Sequence, residues 1–328
     1  MIATDYEQKN ESVETVGMGQ CPLVLGECIQ GQTSERRHFL ITSPIGLFSW
    51  AEFIRSSDDD DNSLSVEPAF CWKARTAVAE YLAQQGLPQT GTLRISTPIG
   101  SGQGFGTSTA DITASLRAAA AAWNREISSE TIARIAIGIE PSDGSMYPGC
   151  VVFGHREGLL IEHLGSLPSF EALVICTGGV VDTMEFDGRR KNFRYSNRDE
   201  AQLLTAWSMI REANRTRDSL LLARATTISA RINEQLLPKP YFQELSQFVE
   251  LGCADGMMVA HSGTAMALIF DPGRPDYEEC FANAKAFVEG LRPPSWFHIS
   301  NRAIRQHLSV HYGMQDFPSR DSGISISQ

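Results

Sequence analysis

Residues 98–112 read PIGSGQGFGTSTADI, and within them Gly100, Gly102, Gly104 and Gly106 alternate ahead of three hydroxyl residues, Thr107, Ser108 and Thr109. Alternating glycines clear side chains away from a backbone and permit positive φ angles. A helix that begins right after them directs its free N–H groups, and the positive end of its dipole, at whatever the loop holds. The chemistry served by such an arrangement is the binding of a phosphate-bearing anion.

Spacing separates this loop from three others. A P-loop ends in Gly-Lys-Ser/Thr, yet no lysine falls between Lys73 and Lys191. A dinucleotide loop places glycines at relative positions one, three and six; position six is Phe105 counted from Gly100 and Thr107 counted from Gly102. A protein kinase would add VAIK, HRD and DFG segments, and the nearest fragments are His155-Arg156-Glu157 and Phe186-Asp187-Gly188. Other chemistries also lack their residues. His307 and His311 stand four apart without the glutamate of a zinc-binding HExxH. The remaining histidines (His38, His155, His163, His261 and His298) are dispersed and read as structural, and no GxSxG pentapeptide marks a hydrolase. The Asp58–Asp61 run reads as an exposed loop, because adjacent carboxylates rarely converge on one ion.

A phosphate loop needs a strand before it and a helix after it. Leu93 and Ile95 alternate in a strand leading to Pro98. From Thr109 the segment TADITASLRAAAAAW predicts a helix with one apolar stripe (Ile112, Leu116, Ala119 and Trp123), capped by Ser108 or Thr109. Asp111 falls in its first turn, where a carboxylate complements the helix dipole; a catalytic acid is the alternative role. Upstream, Phe39–Ile41 and Gly46–Phe53 read as two strands about a turn at Pro44, and Phe70–Gln85 as a helix stopped by Gly86 and Pro88. Downstream, Ile132–Ile139 reads as a helix, Cys150–Phe153 and Leu159–His163 as a hairpin, and Ala172–Cys176 as a buried strand. Helical periodicity then covers Asp199–Ala213, Ser219–Leu237, Tyr241–Leu251 and about Tyr277–Glu289. Ser262-Gly263-Thr264 joins strands at Met257–His261 and Ala265–Phe270, and Trp296–Ile299 is a further strand. This order predicts an α+β fold in two lobes rather than a doubly wound sheet.

The chain of 328 residues is long enough for a large core, with 42% hydrophobic and 20% charged residues as in soluble globular proteins. A net charge of -11 argues against a nucleic-acid surface. Seven cysteines, none in a CxxC pair, predict buried free thiols in a reducing cytoplasm. The opening MIATDYEQKNESVE has no apolar core of a signal peptide, and no run is long enough for a membrane span. The expectation is a cytoplasmic protein, monomer or homodimer, with no nucleic-acid or membrane partner.

GFGTSTA (Gly104 to Ala110) resembles the GLGSSAA signature of GHMP kinases, the galacto-, homoserine, mevalonate and phosphomevalonate kinases. Cys21-Pro22 with Gly26-Glu27 resembles that family's N-terminal motif, and His261-Ser262-Gly263-Thr264 its C-terminal glycine motif. CPxxxGExIQG, STADI, EPSDGSMYPG and IEHLG are similar to the cobalamin-associated L-threonine kinase branch. The likeness runs from about Cys21 to about Phe270. Three departures stand out. Ser101-Gly102-Gln103 reads as a two-residue insertion, Thr107 replaces a usual serine, and PSGxD is present only as Pro141-Ser142-Asp143.

The resemblance implies a two-lobed fold, with an N-terminal lobe like domain 2 of ribosomal protein S5 and a ferredoxin-like C-terminal lobe. The corresponding division is a flexible lead-in over 1–15, lobes over 16–180 and 181–317, and a disordered tail over 318–328. It also implies ATP and Mg²⁺, with Pro98, Gly100, Ser101, Gly102, Gln103, Gly104, Phe105, Gly106, Thr107, Ser108 and Thr109 about the phosphates. Ser108 and Glu140 would hold the metal, Glu140 having a helix-end carboxylate as its other reading. Asp143, in a tight turn between Pro141 and Gly144, is the candidate base for an acceptor hydroxyl, or else an Asx-turn aspartate. Glu27, on an N-terminal loop, would line the acceptor or nucleotide site or form a plain salt bridge. Ser262, Gly263 and Thr264 would support the loop. The implied acceptor is L-threonine, with homoserine, serine or another small alcohol, or a catalytically inactive nucleotide-binding regulator, as alternatives.

Overall fold

Two 17-residue strands, β1 (Val16–Gln32) and β2 (His38–Ile54), form a long antiparallel hairpin at the centre of the molecule. The computed structural model describes residues 15–33, 37–56, 63–179 and 193–301. Residues 1–14, the Asp58–Asp61 run, Phe186-Asp187-Gly188, His307, His311 and the tail over 318–328 lie outside the described residues. The expected break in β2 at Pro44 is not there. Pro44 faces Val24 where the register shifts repeatedly between Pro22 and Ile29. A proline has no N–H to give a ladder, and an irregular stretch is where a strand tolerates one, so β2 bends and continues.

Beyond the hairpin, β2 pairs antiparallel with β4 (Gly91–Ser96). A strand the sequence did not suggest, β3 (Leu64–Glu67), lies parallel to β4 at the edge. β2 also pairs with β5 (Cys150–Gly154), which forms the expected hairpin with β6 (Leu159–Gly165). On the other side, β1 meets β8 (Gly256–Val259) where Glu27 faces Val259. The sheet then continues through β9 (Ala265–Phe270) and β7 (Glu171–Cys176) to β10 (Ser295–Ser300). All ten strands of the described residues thus belong to one sheet.

Helices α1 (Trp72–Gln84), α2 (Thr107–Ala122) and α3 (Ser129–Ile139) share a core with the first half of that sheet. From the later chain come α4 (Asn197–Thr216), α5 (Ser219–Glu234), α6 (Phe242–Glu250) and α7 (Tyr277–Leu291). α6 and α7 pack with β7, β8 and β9 in a second apolar cluster. Local signals explain several starts: Ser128 caps α3, and Ser196 with Asp199 forms a reciprocal capping box on α4. All seven cysteines are free thiols. No helix among the described residues is long and apolar enough to cross a membrane.

α2 departs from expectation in three ways. It begins at Thr107, with left-handed Gly106 as N-cap and no side-chain cap, so Ser108 and Thr109 lie inside it. Its buried residues go all round the helix rather than along one stripe. The alanines explain this, because a Cβ at Gly17 or Gly19 of β1 would strike the backbone of Ala114, Ala118 or Ala122. Strand and helix backbones are in direct contact there. Finally, Asp111 does not complement the helix end. Its carboxylate turns inward and accepts hydrogen bonds from Ser49 Oγ at 2.6 Å and Thr97 Oγ1 at 2.5 Å.

Candidate active site

The glycine loop is held from below by both halves of the chain. The N–H groups of Val24 and Gly26 in β1 donate to the carbonyls of Phe105 and Gly104, at 3.0 and 3.1 Å. Those of Thr264 and Ala265 donate to the Gln103 carbonyl, at 3.1 and 2.9 Å. Gly104, at φ +99, faces Ala260 with no room for a Cβ, and Gly263 lies against the backbone of Gln103 in the same way. Phe105 is fully buried, its ring 5.7 Å from that of Phe297, so it anchors the loop to β10. Three consecutive carbonyls therefore point down into protein.

Above the loop is a cavity of ≈ 460 Å³. Ser101, Gly102 and Gly104 line it, as do Phe105, Gly106 and the first residues of α2, Thr107, Ser108 and Thr109. Glu27, Glu140, Asp143 and Ser262 line it as well. The structure leaves Pro98, Gly100, Gln103, Gly263 and Thr264 out of the lining. Gln103, Gly263 and Thr264 form the underside, and a Cβ on Gly100 would meet only the Gln103 side chain, at 3.6 Å. Glu27 belongs to β1, opposite Thr42, and not to a loop. His155 and His261, which the sequence suggested were structural, face the cavity; His261 Nε2 is 3.1 Å from Ser229 Oγ.

The turn after α3 carries the two key carboxylates. Asp143 is buried, its Oδ1 accepting the Ser145 N–H at 2.8 Å while its own N–H donates to Thr109 Oγ1 at 3.3 Å. Its Oδ2 lies against Gly106 at the uncapped start of α2, where a Cβ could not fit. Burial pushes the Asp143 carboxyl up to about 6, against the hydrogen bonds from Ser145 and Thr109. Glu140, the C-cap residue of α3, accepts a hydrogen bond from Ser108 Oγ on one oxygen. Its other oxygen lies 2.6 Å from Lys73 Nζ, from the first turn of α1.

These residues suit a phosphorylated ligand and its metal. Magnesium prefers hard oxygen donors and takes few from protein, which a touching hydroxyl and carboxylate supply. The N–H groups at the start of α2, which no side chain caps, and the buried Asp143 carboxylate of raised pKa stand side by side, an arrangement chemically suited to an anion with a proton acceptor next to it. Lys73 was missed from sequence, where it served only to exclude a P-loop. One signal was available: a cation in the first turn of a helix opposes the dipole, so it needs another reason to be there.

Comparison with known proteins places the chain among kinases in sequence and fold. Residues 70–151 match the family described as GHMP kinases N terminal domain. The chain is 29% identical over 265 residues to the L-threonine kinase of Salmonella typhimurium, covering 80% of this chain and 86% of that one. It is 28% identical over 271 residues to that of Citrobacter freundii, covering 80% and 89%. Among solved structures, homoserine kinase from Cytophaga hutchinsonii superposes with a TM-score of 0.62 at 12% identity, over 92% of this chain and 99% of that one. On these grounds residues 70–151 match the GHMP kinase N-terminal domain, the chain is similar to L-threonine kinases over four fifths of its length, and it is a phosphotransferase with an alcohol as acceptor.

Proposed function

We propose that the protein is an ATP- and Mg²⁺-dependent kinase that converts L-threonine to O-phospho-L-threonine, for the aminopropanol arm of cobalamin synthesis. One observation carries the reading: Asp143 and the Glu140–Ser108 pair converge on the uncapped start of α2 within one cavity. The likeness to L-threonine kinases supports the choice of acceptor.

In this reading the amides from Gly102 to Ser108 hold the α- and β-phosphates, and Ser108 and Glu140 would hold Mg²⁺, which would supply positive charge against the phosphates. Asp143 takes the proton of the acceptor hydroxyl as that oxygen bonds to the γ-phosphorus and the bond to the β,γ-bridging oxygen breaks, leaving ADP. Phosphoryl transfer needs positioning and charge neutralisation more than covalent help, and a site this small can supply both. Glu27 lines the acceptor side and Ser262, Gly263 and Thr264 support the loop.

The test is a panel of amino-acid alcohols with ATP and Mg²⁺, scored by ADP release and product mass. Threonine is expected to turn over with the highest kcat/KM. Turnover of homoserine or mevalonate without threonine would overturn the acceptor assignment, and ATP binding with no turnover of any acceptor would favour a regulator.

A further inference from the structure

Among the described residues lining the cavity, Glu27, Asp111, Glu140 and Asp143 carry carboxylates, while Lys73 alone carries an ammonium or guanidinium group. A nucleoside triphosphate brings several more negative charges into that wall. Backbone amides and a metal offset part of this, but the fixed side-chain charge of the site is strongly adverse without Lys73.

Lys73 is built into the site. It stands in the first turn of α1, after an N-cap, Cys71, that makes no side-chain capping bond. Its Nζ lies 2.6 Å from Glu140 Oε2, and the opposite oxygen of that carboxylate is bonded to Ser108 at the start of α2. Lysine has three N–H donors, and Glu140 engages one. Both residues line the cavity, and with about a third of its side chain exposed (31%) Lys73 is the more open of the two. The ammonium is thus fixed beside the metal-binding pair with donors to spare.

We propose that Lys73 is a polyphosphate-binding residue, bridging Glu140 and the β- and γ-phosphate oxygens of the nucleotide. This rests on the ATP-kinase reading above. As a compact point charge, lysine suits phosphate oxygens whose geometry changes during transfer. Through Glu140 the same ammonium orients the carboxylate toward the metal.

Calorimetric titration of ATP, ADP and AMP without Mg²⁺ tests the assignment on the wild type, Lys73→Met and Lys73→Arg. Lys73→Met is expected to lose about 10- to 100-fold in ATP affinity, as for a charge-assisted hydrogen bond, with a smaller loss for ADP and none for AMP. Lys73→Arg should retain most of the ATP affinity. Equal ATP binding by Lys73→Met and wild type, or an equal loss for all three nucleotides, would overturn the proposal. If Lys73→Met does not fold, acetylation of the wild type with mass-spectrometric readout decides instead. ATP, but not AMP, should protect Lys73, and the absence of protection would refute the contact. Failure of the wild type to bind ATP at all would instead sink the kinase reading.

Discussion

Two buried aspartates flank the start of α2, and they differ in what they leave unengaged. Asp111 turns Oδ1 to two hydroxyl donors, Ser49 and Thr97, and its Oδ2 to the Cys71 thiol, at 4.0 Å. Asp143 receives a backbone N–H on Oδ1 and sets Oδ2 against Gly106, at the helix end where phosphate would lie. Burial raises the pKa of both. A raised pKa therefore does not distinguish the proposed base from Asp111; what separates them is that Asp143 Oδ2 lies against Gly106 at the start of α2. Asp111 instead ties β2 and the end of β4 to α2, which makes it a strut beneath the loop.

The largest expected effect separates the two directly. Asp143→Asn should lower kcat by about 10²- to 10⁴-fold, the usual reach of general-base catalysis, with ATP affinity retained. Asp111→Asn should change kcat by less than about 10-fold. Steady-state kinetics on the pair check this, and the reverse ranking would exchange their roles.

Next comes Gly106→Ala. It forces a side chain into φ +63 and against Asp143 Oδ2 and Val24, so a stability loss of about 2–3 kcal/mol is expected by denaturant titration, with lowered kcat.

A smaller effect lies in pH dependence. With its pKa raised from 3.8 to about 6 on folding, Asp143 binds more protons in the native than in the unfolded state between those values. Unfolding free energy from this group therefore falls as pH rises through about 4 to 6, and Asp143→Asn should flatten that slope. In wild type kcat/KM should fall below pH about 6, as the base becomes protonated. A rate profile flat down to pH 4.5 would be incompatible with Asp143 as base.

The smallest effect belongs to a loop position that touches neither aspartate. Gly100→Ala makes only an ordinary contact with the Gln103 side chain, at 3.6 Å, so stability should change by no more than about 0.5 kcal/mol and kcat/KM should hold.

What could be read from the chain was local. The loop between a strand and a helix, the β5–β6 hairpin and the helices of the second half follow from periodicity and stop signals, and the structure has them. Where a distant neighbour decides, the sequence was silent or misleading. Pro44 resembled a turn because the irregular register opposite it is set by β1. Asp111 resembled a helix-end charge because Ser49 and Thr97 lie 62 and 14 residues away. Lys73 was overlooked because its partner Glu140 is 67 residues distant. Of the glycines chosen by alternation, Gly102, Gly104 and Gly106 take positive φ and Gly100 does not. Spacing alone could not tell the required ones from the spare.

The three downward carbonyls of the loop have a consequence for how this chain could be cut. Their donors come from residues 24–26 and 264–265, both outside the 70–151 segment that matches the family's N-terminal domain. An excised 70–151 fragment would carry every amide of the anion cradle and nothing to support it. Two co-expressed pieces parted between residues 151 and 264 should regain nucleotide binding only on reassembly. The loop would then serve as a reporter of fragment complementation, silent in either piece alone.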